Sequence, residues 1–381
     1  MTLNQESRKL LLEKMKVKTE IEDLLEKVKE YILEVQKIND FEFNFTNVGI
    51  TKFGKKINLG PSCYALKIFY MLKIWDDLDK NKKDQWVNYI NSYQVERSDF
   101  AKNSYIDPGV IGYYNSKKIR SSFEDLVKVG LNTTKKFSFD LSKTKLTRAI
   151  NAETKQAIAT LSDIGKKNEH KLENQFLDNS GVEMYLDKLN WSNPWSAGGQ
   201  FASLCVYAKT QQFPFLANLE NFSNKILDSE TGSYFRDNPN SSREIINGAM
   251  KIISGLDWIE VPIHKPKNLI DFCLENKPQP EGCDIVDYVY VLYKCWKQTN
   301  YRKDEIIIVF KEVLELFNNL NYHNGGFSYF PSRSQSHYYG VEVTKGLNTP
   351  DIHGTILITW ALVLIYDFLE ESNDKYNVIK P

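Results

Sequence analysis

What most constrains this chain is that two kinds of helix alternate along it. One kind is amphipathic with a charged face, as in "KKDQWVNYINSYQ" (82–94), "FLANLENFSNKILD" (215–228) and "DEIIIVFKEVLELFNNL" (304–320), the pattern of a helix with one side in water. The other kind is apolar nearly all round and rich in small residues: "PSCYALKIFYMLKIW" (61–75), "PWSAGGQFASLCVYA" (194–208), "PEGCDIVDYVYVLYKCW" (280–296) and "PDIHGTILITWALVLIY" (350–366). Such helices must be packed on most sides, so they form an inner layer and the amphipathic ones an outer layer. Gly- and aromatic-rich loops lead from outer to inner helices: "RSDF" (97–100), "FSF" (137–139), "NWSNPW" (190–195), "TGSYF" (231–235) and "GGFSYF" (325–330). The landmarks recur roughly every 40 to 55 residues, the range of helical-pair repeats, which predicts about six copies of one unit. No alternating strand pattern competes, so the expected fold class is all-α.

The inner helices begin alike. Proline is favoured at the first helical position, where its missing N–H costs nothing, and the pattern places Pro61, Pro194, Pro280 and Pro350 there. "SSREIINGAMKII" instead carries a capping box, Ser241 with Glu244. Aligning the prolines puts Ser62, Trp195, Glu281 and Asp351 at the next position, and Tyr64, Ala197, Cys283 and His353 at the third. Equivalent helices in a ring would bring these side chains to one end of it.

Charge narrows the partners. Lys plus Arg (49) equals Asp plus Glu (49), so the basic field that nucleic-acid binding needs is absent. The first 36 residues read as an amphipathic helix rather than a secretion signal, and the expected location is the cytoplasm. The most apolar run, Ile356 to Tyr366, is about half of the roughly 20 residues of a membrane span; it reads as a core helix. Five cysteines at scattered spacings, Cys63, Cys205, Cys273, Cys283 and Cys295, are read as reduced.

Together the alternating layers, the "GGF"-type loops and the Pro-initiated inner helices resemble the α/α toroid of protein prenyltransferase β subunits and terpenoid cyclases. The resemblance implies a toroid domain over residues 55–371, an N-terminal helical extension (1–54) and a C-terminal tail (372–381). In the prenyltransferases an Asp and a Cys two residues apart at one inner helix start, with a His at a later one, hold a catalytic zinc. Glu281, Cys283 and His353 stand at the corresponding places, with Glu replacing the family's Asp. The cyclases' Asp-x-Asp-Asp and Asp-Asp-x-x-Asp motifs are absent; "DDLD" (Asp76, Asp77, Asp79) follows the end of an inner helix and reads as a solvated turn at the opposite rim. A prenyltransferase β subunit works with an α subunit, and nothing in the sequence reveals such a partner.

The residues themselves offer several sites. Zinc takes thiolate, imidazole and carboxylate and keeps an open position when catalytic; against this, a Cys is often a small hydrophobe. Asp284 and Asp287 lie three apart, as neighbours on a helix. In a cavity lined by Tyr288, Tyr290 and Trp360, burial would raise a carboxyl's pKa into the range of a general acid. Acids in a first turn also simply oppose the helix dipole, which covers Glu281 and Asp351 but not Asp287, whose alternative is a structural partner such as Lys294 or Arg148. Further candidates are Trp195, Arg243 and Asn247 for substrate, Gly198 and Gly199 for close packing or access, and Arg333, His337, Tyr338 and Tyr339 on the long 325–350 connection. The reading is an enzyme with Asp284, Asp287 and His353 as chemical residues, acting on a polyprenyl or other apolar substrate. The alternatives are an (α/α)6 lyase, hydrolase or epimerase of surface glycans, since aromatic walls also stack on sugar rings, and a non-catalytic binding toroid.

Overall fold

The computed structural model describes residues 5–34, 39–117, 142–174, 176, 179–370 and 374–381. Among these, the helices in chain order are α1 (Gln5–Glu34), α2 (Leu59–Met71), α3 (Ile74–Asp77), α4 (Lys80–Asn91), α5 (Pro108–Ser116), α6 (Ser142–Asp163) and α7 (Asn179–Asp187). They continue with α8 (Pro194–Gln211), α9 (Leu216–Lys225), α10 (Ser242–Ile259), α11 (Pro266–Glu275), α12 (Gly282–Thr299), α13 (Lys303–Phe317) and α14 (Ile352–Glu370). Among the described residues strand is confined to two short hairpins, β1 (Gln94–Val95) with β2 (Ser104–Tyr105) and β3 (His337–Tyr338) with β4 (Val341–Glu342). The fold is all-α.

The inner helices close a ring. α2 packs on α6, α6 on α8, α8 on α10, α10 on α12, α12 on α14, and α14 returns to α2. They run parallel. Their starts meet through the Trp195 amide donating to Glu244 and Asn247 donating to Asp284. Their ends meet through Lys67–Asp163, Lys294–Asp257 and Lys297–Asp367. Outside, α4 packs on α2, α9 on α8 and α10, α11 on α12, and α13 on α12 and α14. This is an α/α toroid, and the helices 82–94, 215–228 and 304–320 lie in its outer layer as their charged faces require.

Several expectations need correction. The N-terminal helix is no separate extension: Val17, Ile21, Leu25, Val28 and Ile32 form a buried stripe, at the spacing that puts them on one face, and α1 packs on α14 and α2 as an outer helix. Of the four prolines only Pro194 holds the first helical position; Pro61 is the third residue of α2, while Pro280 and Pro350 precede α12 and α14 by two residues. Asp351 caps α14 instead, accepting from the Gly354 amide at 2.8 Å. α14 is itself 19 residues long, long and apolar enough to cross a membrane, but 83% of its apolar window is buried inside the ring. The charged inner helix α6 was not foreseen, and the "FSF" loop lies outside the described residues. Asp76 and Asp77 are exposed, and Asp79 caps α4 through the Lys82 amide at 2.9 Å, so "DDLD" is the solvated turn it looked like. All five cysteines are free.

Candidate active site

The ring encloses a lumen of about 320 Å3, and every inner helix contributes to its wall. α2 gives Tyr64 and Lys67, α6 Lys155, α8 Trp195 and Gly199, α10 Lys251, α12 Cys283 and Asp287, and α14 His353 and Trp360. At the end where the inner helices begin, Gln335, Tyr338 and Tyr339 complete it; at the other end Ile379 and Pro381 do.

Asp287 occupies the second turn of α12. Its side chain is 1% exposed and neither carboxylate oxygen has a hydrogen-bond partner among the described residues. Lys251 Nζ stands 3.6 Å away; it is the partner, where Lys294 or Arg148 had been expected. Lys294 pairs with Asp257 at 2.8 Å. Burial pushes the Asp287 carboxyl up to about 6, against the opposing pull of Lys251. Successive helical residues turn by about 100°, which sets Asp287 between Cys283 on the lumen side and Asp284 on the side of α10.

Asp284 therefore does not share the lumen. It accepts from Arg243 Nε and from Asn247 Nδ2, each at 2.8 Å, while the Arg243 guanidinium also reaches Glu281. These four residues clamp the starts of α10 and α12 together. Tyr288 is likewise outside the lumen, buried with its hydroxyl donating to the Cys273 carbonyl at 2.9 Å. Of the expected substrate contacts, Trp195, Tyr338 and Trp360 line the lumen, whereas Arg243, Asn247 and Tyr288 are occupied by the framework.

His353 lies flat on Tyr64, with centroids 4.9 Å apart and planes 2° from parallel. Its Nδ1 is 2.5 Å from Gln335 Oε1, which assigns the proton to Nδ1 and leaves the lone pair on Nε2. Burial, reinforced by the charge of Lys251, drives its pKa down to about 3, so the ring stays neutral at physiological pH. Cys283 shares the wall, but burial pushes its thiol up to about 12. Among the described residues no three His, Cys, Asp or Glu side chains gather as a metal site would need. Glu281 is drawn off by Arg243 and does not join Cys283 and His353 on the lumen wall, so the expected Glu281, Cys283 and His353 zinc set is not assembled.

Sequence reasoning missed the lumen's lysines. Lys67 pairs with Asp163 at 3.4 Å and Lys251 with Asp287. Lys155 lines the same cavity with no ion pair among the described residues; burial, with Lys67 and Lys251 adding repulsion, lowers its pKa to about 7. Nothing in "NAETKQAIATL" marked its Glu and Lys as turned inward, because a polar stripe on a helix reads the same whether it faces a cavity or solvent. On the 325–350 connection, Arg333 and His337 are exposed, while Tyr338 and Tyr339 turn inward. The β3–β4 turn holds Tyr339 at φ 43 and Gly340 at φ 81, and Tyr114 fastens it by donating its hydroxyl proton to the Tyr339 carbonyl at 3.0 Å. A non-glycine residue kept in the left-handed region is a cost that the surroundings must hold in place.

No family model and no curated protein matches the chain. Two solved structures are similar over most of its length. One is a polysaccharide lyase, at 11% identity and a TM-score of 0.44, covering 94% of this chain and 99% of that one. The other is a glycosyl hydrolase family 88 protein from Bacteroides vulgatus, at 11% identity and a TM-score of 0.44, covering 91% of this chain and 99% of that one. At that distance the likeness assigns neither a family nor an activity, and the resemblance to prenyltransferases and terpenoid cyclases stays one of ring architecture, without their metal ligands or acid motif.

Proposed function

We propose that the lumen is the active site of an enzyme that moves protons on a bound acidic glycan. The observation that carries the reading is Asp287, a buried carboxylate facing a cavity, with no hydrogen bond to its oxygens among the described residues and a lysine at 3.6 Å. A carboxylate left in that condition is poised for proton transfer rather than for structure. Neutral His353, stacked on Tyr64, supplies a second proton-transfer group with its Nε2 lone pair free. Among the described residues Asp287 is the one acid of the lumen wall, whereas most glycosidases need two carboxyl groups. That favours elimination or epimerisation over hydrolysis.

The wall supports a sugar. Trp195, Trp360 and the Tyr64–His353 stack offer flat apolar faces, and Gln156, Gln200 and Gln335 offer hydrogen bonds to hydroxyl groups. An isoprenoid chain would leave those amides and Lys155 desolvated without compensation. Lys155, the lysine without a carboxylate, suits the anionic group of an acidic sugar. The test is a screen of acidic against neutral oligosaccharides, read by the ultraviolet absorbance of an unsaturated product and by isotope exchange at the sugar ring. Turnover of acidic substrates that Asp287→Asn loses supports the reading. Turnover of farnesyl diphosphate in place of glycans would overturn it.

A further inference from the structure

The far end of the lumen is closed by a strap of extended chain. Residues 377–381 carry no helix or strand, and side chains of an extended segment alternate between two sides. They do so here: Ile379 and Pro381 line the lumen, whereas Val378 and Lys380 line a second cavity of about 550 Å3 outside the ring's far end. No residue lines both cavities. The strap is the partition between them.

It is fastened to three inner helices. The Lys380 amide donates to Asp163 Oδ1 of α6 at 3.0 Å, and Lys67 of α2 donates to the Lys380 main-chain oxygen at 3.3 Å. Trp258 of α10 donates its indole N–H to a main-chain oxygen of Pro381 at 2.9 Å, and Lys380 Nζ reaches the Asp257 carbonyl at 3.1 Å. Ile379 is 3% exposed. Two of these four bonds fall on the buried Lys67–Asp163 pair, of which Lys67 lines the lumen and Asp163 the second cavity.

We infer that residues 378–381 make the lumen a blind pocket, so that only the end of a substrate chain reaches Asp287 and the strap sets how many units fit. This rests on the glycan reading for the nature of the substrate, but the partition itself is independent of it. A ring open at both ends would let a polymer thread through and be attacked internally. A ring closed at the strap admits substrate and releases product by one mouth, beside Tyr338 and Tyr339.

Two measurements test this on the full chain. First, a thiol reporter Ser203→Cys, in a Cys283→Ser background, is reacted with a bulky maleimide in the parent and after deletion of residues 378–381. The expected result is a labelling rate raised tenfold or more by the deletion; an unchanged rate overturns the partition. Because the deletion also removes the Lys67 and Asp163 bonds, the double variant Ile379→Gly, Pro381→Gly, which keeps the main chain, repeats the comparison in case the deletion fails to fold. Second, on an end-labelled acidic oligosaccharide the parent should shorten the chain from one end only, and the strap variants should release longer products. Internal cleavage by the parent overturns end-specific action. A raised labelling rate with no glycan turnover upholds the partition and removes the glycan reading instead.

Discussion

Two buried aspartates in this ring share a pKa near 6 and have opposite surroundings. Asp351, at the head of α14, accepts the amides of Gly354 and Tyr329 at 2.8 Å and of Gln335 at 3.0 Å. Asp287, in the second turn of α12, accepts none among the described residues. Burial raises both carboxyls to about 6, but backbone amides offset it at Asp351 and a lysine at 3.6 Å offsets it at Asp287. A raised pKa therefore does not distinguish a site from a staple; the hydrogen bonds do. The staple fixes the connection that carries Gln335 and hence His353, while the unbonded carboxylate faces the substrate space.

The largest effect expected from breaking the contrast is on catalysis. Asp287→Asn should lower kcat by about 100- to 10,000-fold, the usual range for a positioned acid or base, with the far-ultraviolet spectrum retained and the unfolding midpoint not lowered. Retained turnover on the substrate found by the screen would remove Asp287 from the chemistry. The counterpart, Asp351→Ala, leaves three buried amides without an acceptor, and charged acceptors are worth more than neutral ones. It should cost about 2 to 4 kcal/mol in urea unfolding, and its activity should fall only as far as the 325–350 connection loosens.

A pH series sharpens the same contrast. The folded pKa of Asp287, about 6, lies above its ordinary value of 3.8, so its contribution to stability is complete below the lower value and is lost as pH rises through the upper one. Asp287→Asn removes that loss. The variant should match the parent near pH 4 and exceed it by on the order of 2 kcal/mol at pH 7, read as the difference between paired denaturant curves at each pH. A parent more stable than the variant at pH 7 would mean that the Lys251 pair outweighs burial and that Asp287 is structural.

The sequence made the ring legible through its mostly apolar inner helices, and it concealed the most highly charged of them, α6. In α12 and α14 the apolar run reads as buried on every side. In α6, Glu153, Thr154 and Lys155 look like a solvent face, yet Glu153 and Thr154 are 1% exposed and Lys155 lines the lumen. A ring turns part of its inner layer towards a polar cavity, and helical periodicity cannot tell an inner polar face from an outer one. The same limit misplaced Asp284: spacing put it beside Asp287, but only packing shows Arg243 and Asn247 waiting on α10. Cys283 and His353 were matched as zinc ligands from equivalent helix starts. Both do line the lumen, and the third member, Glu281, was taken by an arginine that lies distant in sequence.

The contrast between a filled and an open position recurs one helix away at lower stakes. A Cβ on Gly198 would stand 2.9 Å from Lys251 Cβ and 3.3 Å from the Gly248 carbonyl oxygen, where α8 and α10 meet. Gly198→Ala must widen that seam, at about 1 to 3 kcal/mol, and would shift Lys251 away from Asp287. A Cβ on Gly199 meets nothing within 4 Å and enters the lumen. Alanine in place of a helical glycine gains up to about 1 kcal/mol, so Gly199→Ala should raise stability slightly while raising KM by narrowing the space between Trp195 and the lysines. Thermal unfolding and steady-state kinetics on the pair check both. If Gly199→Ala leaves KM unchanged, substrate does not pass α8, and the glycine there serves the backbone alone.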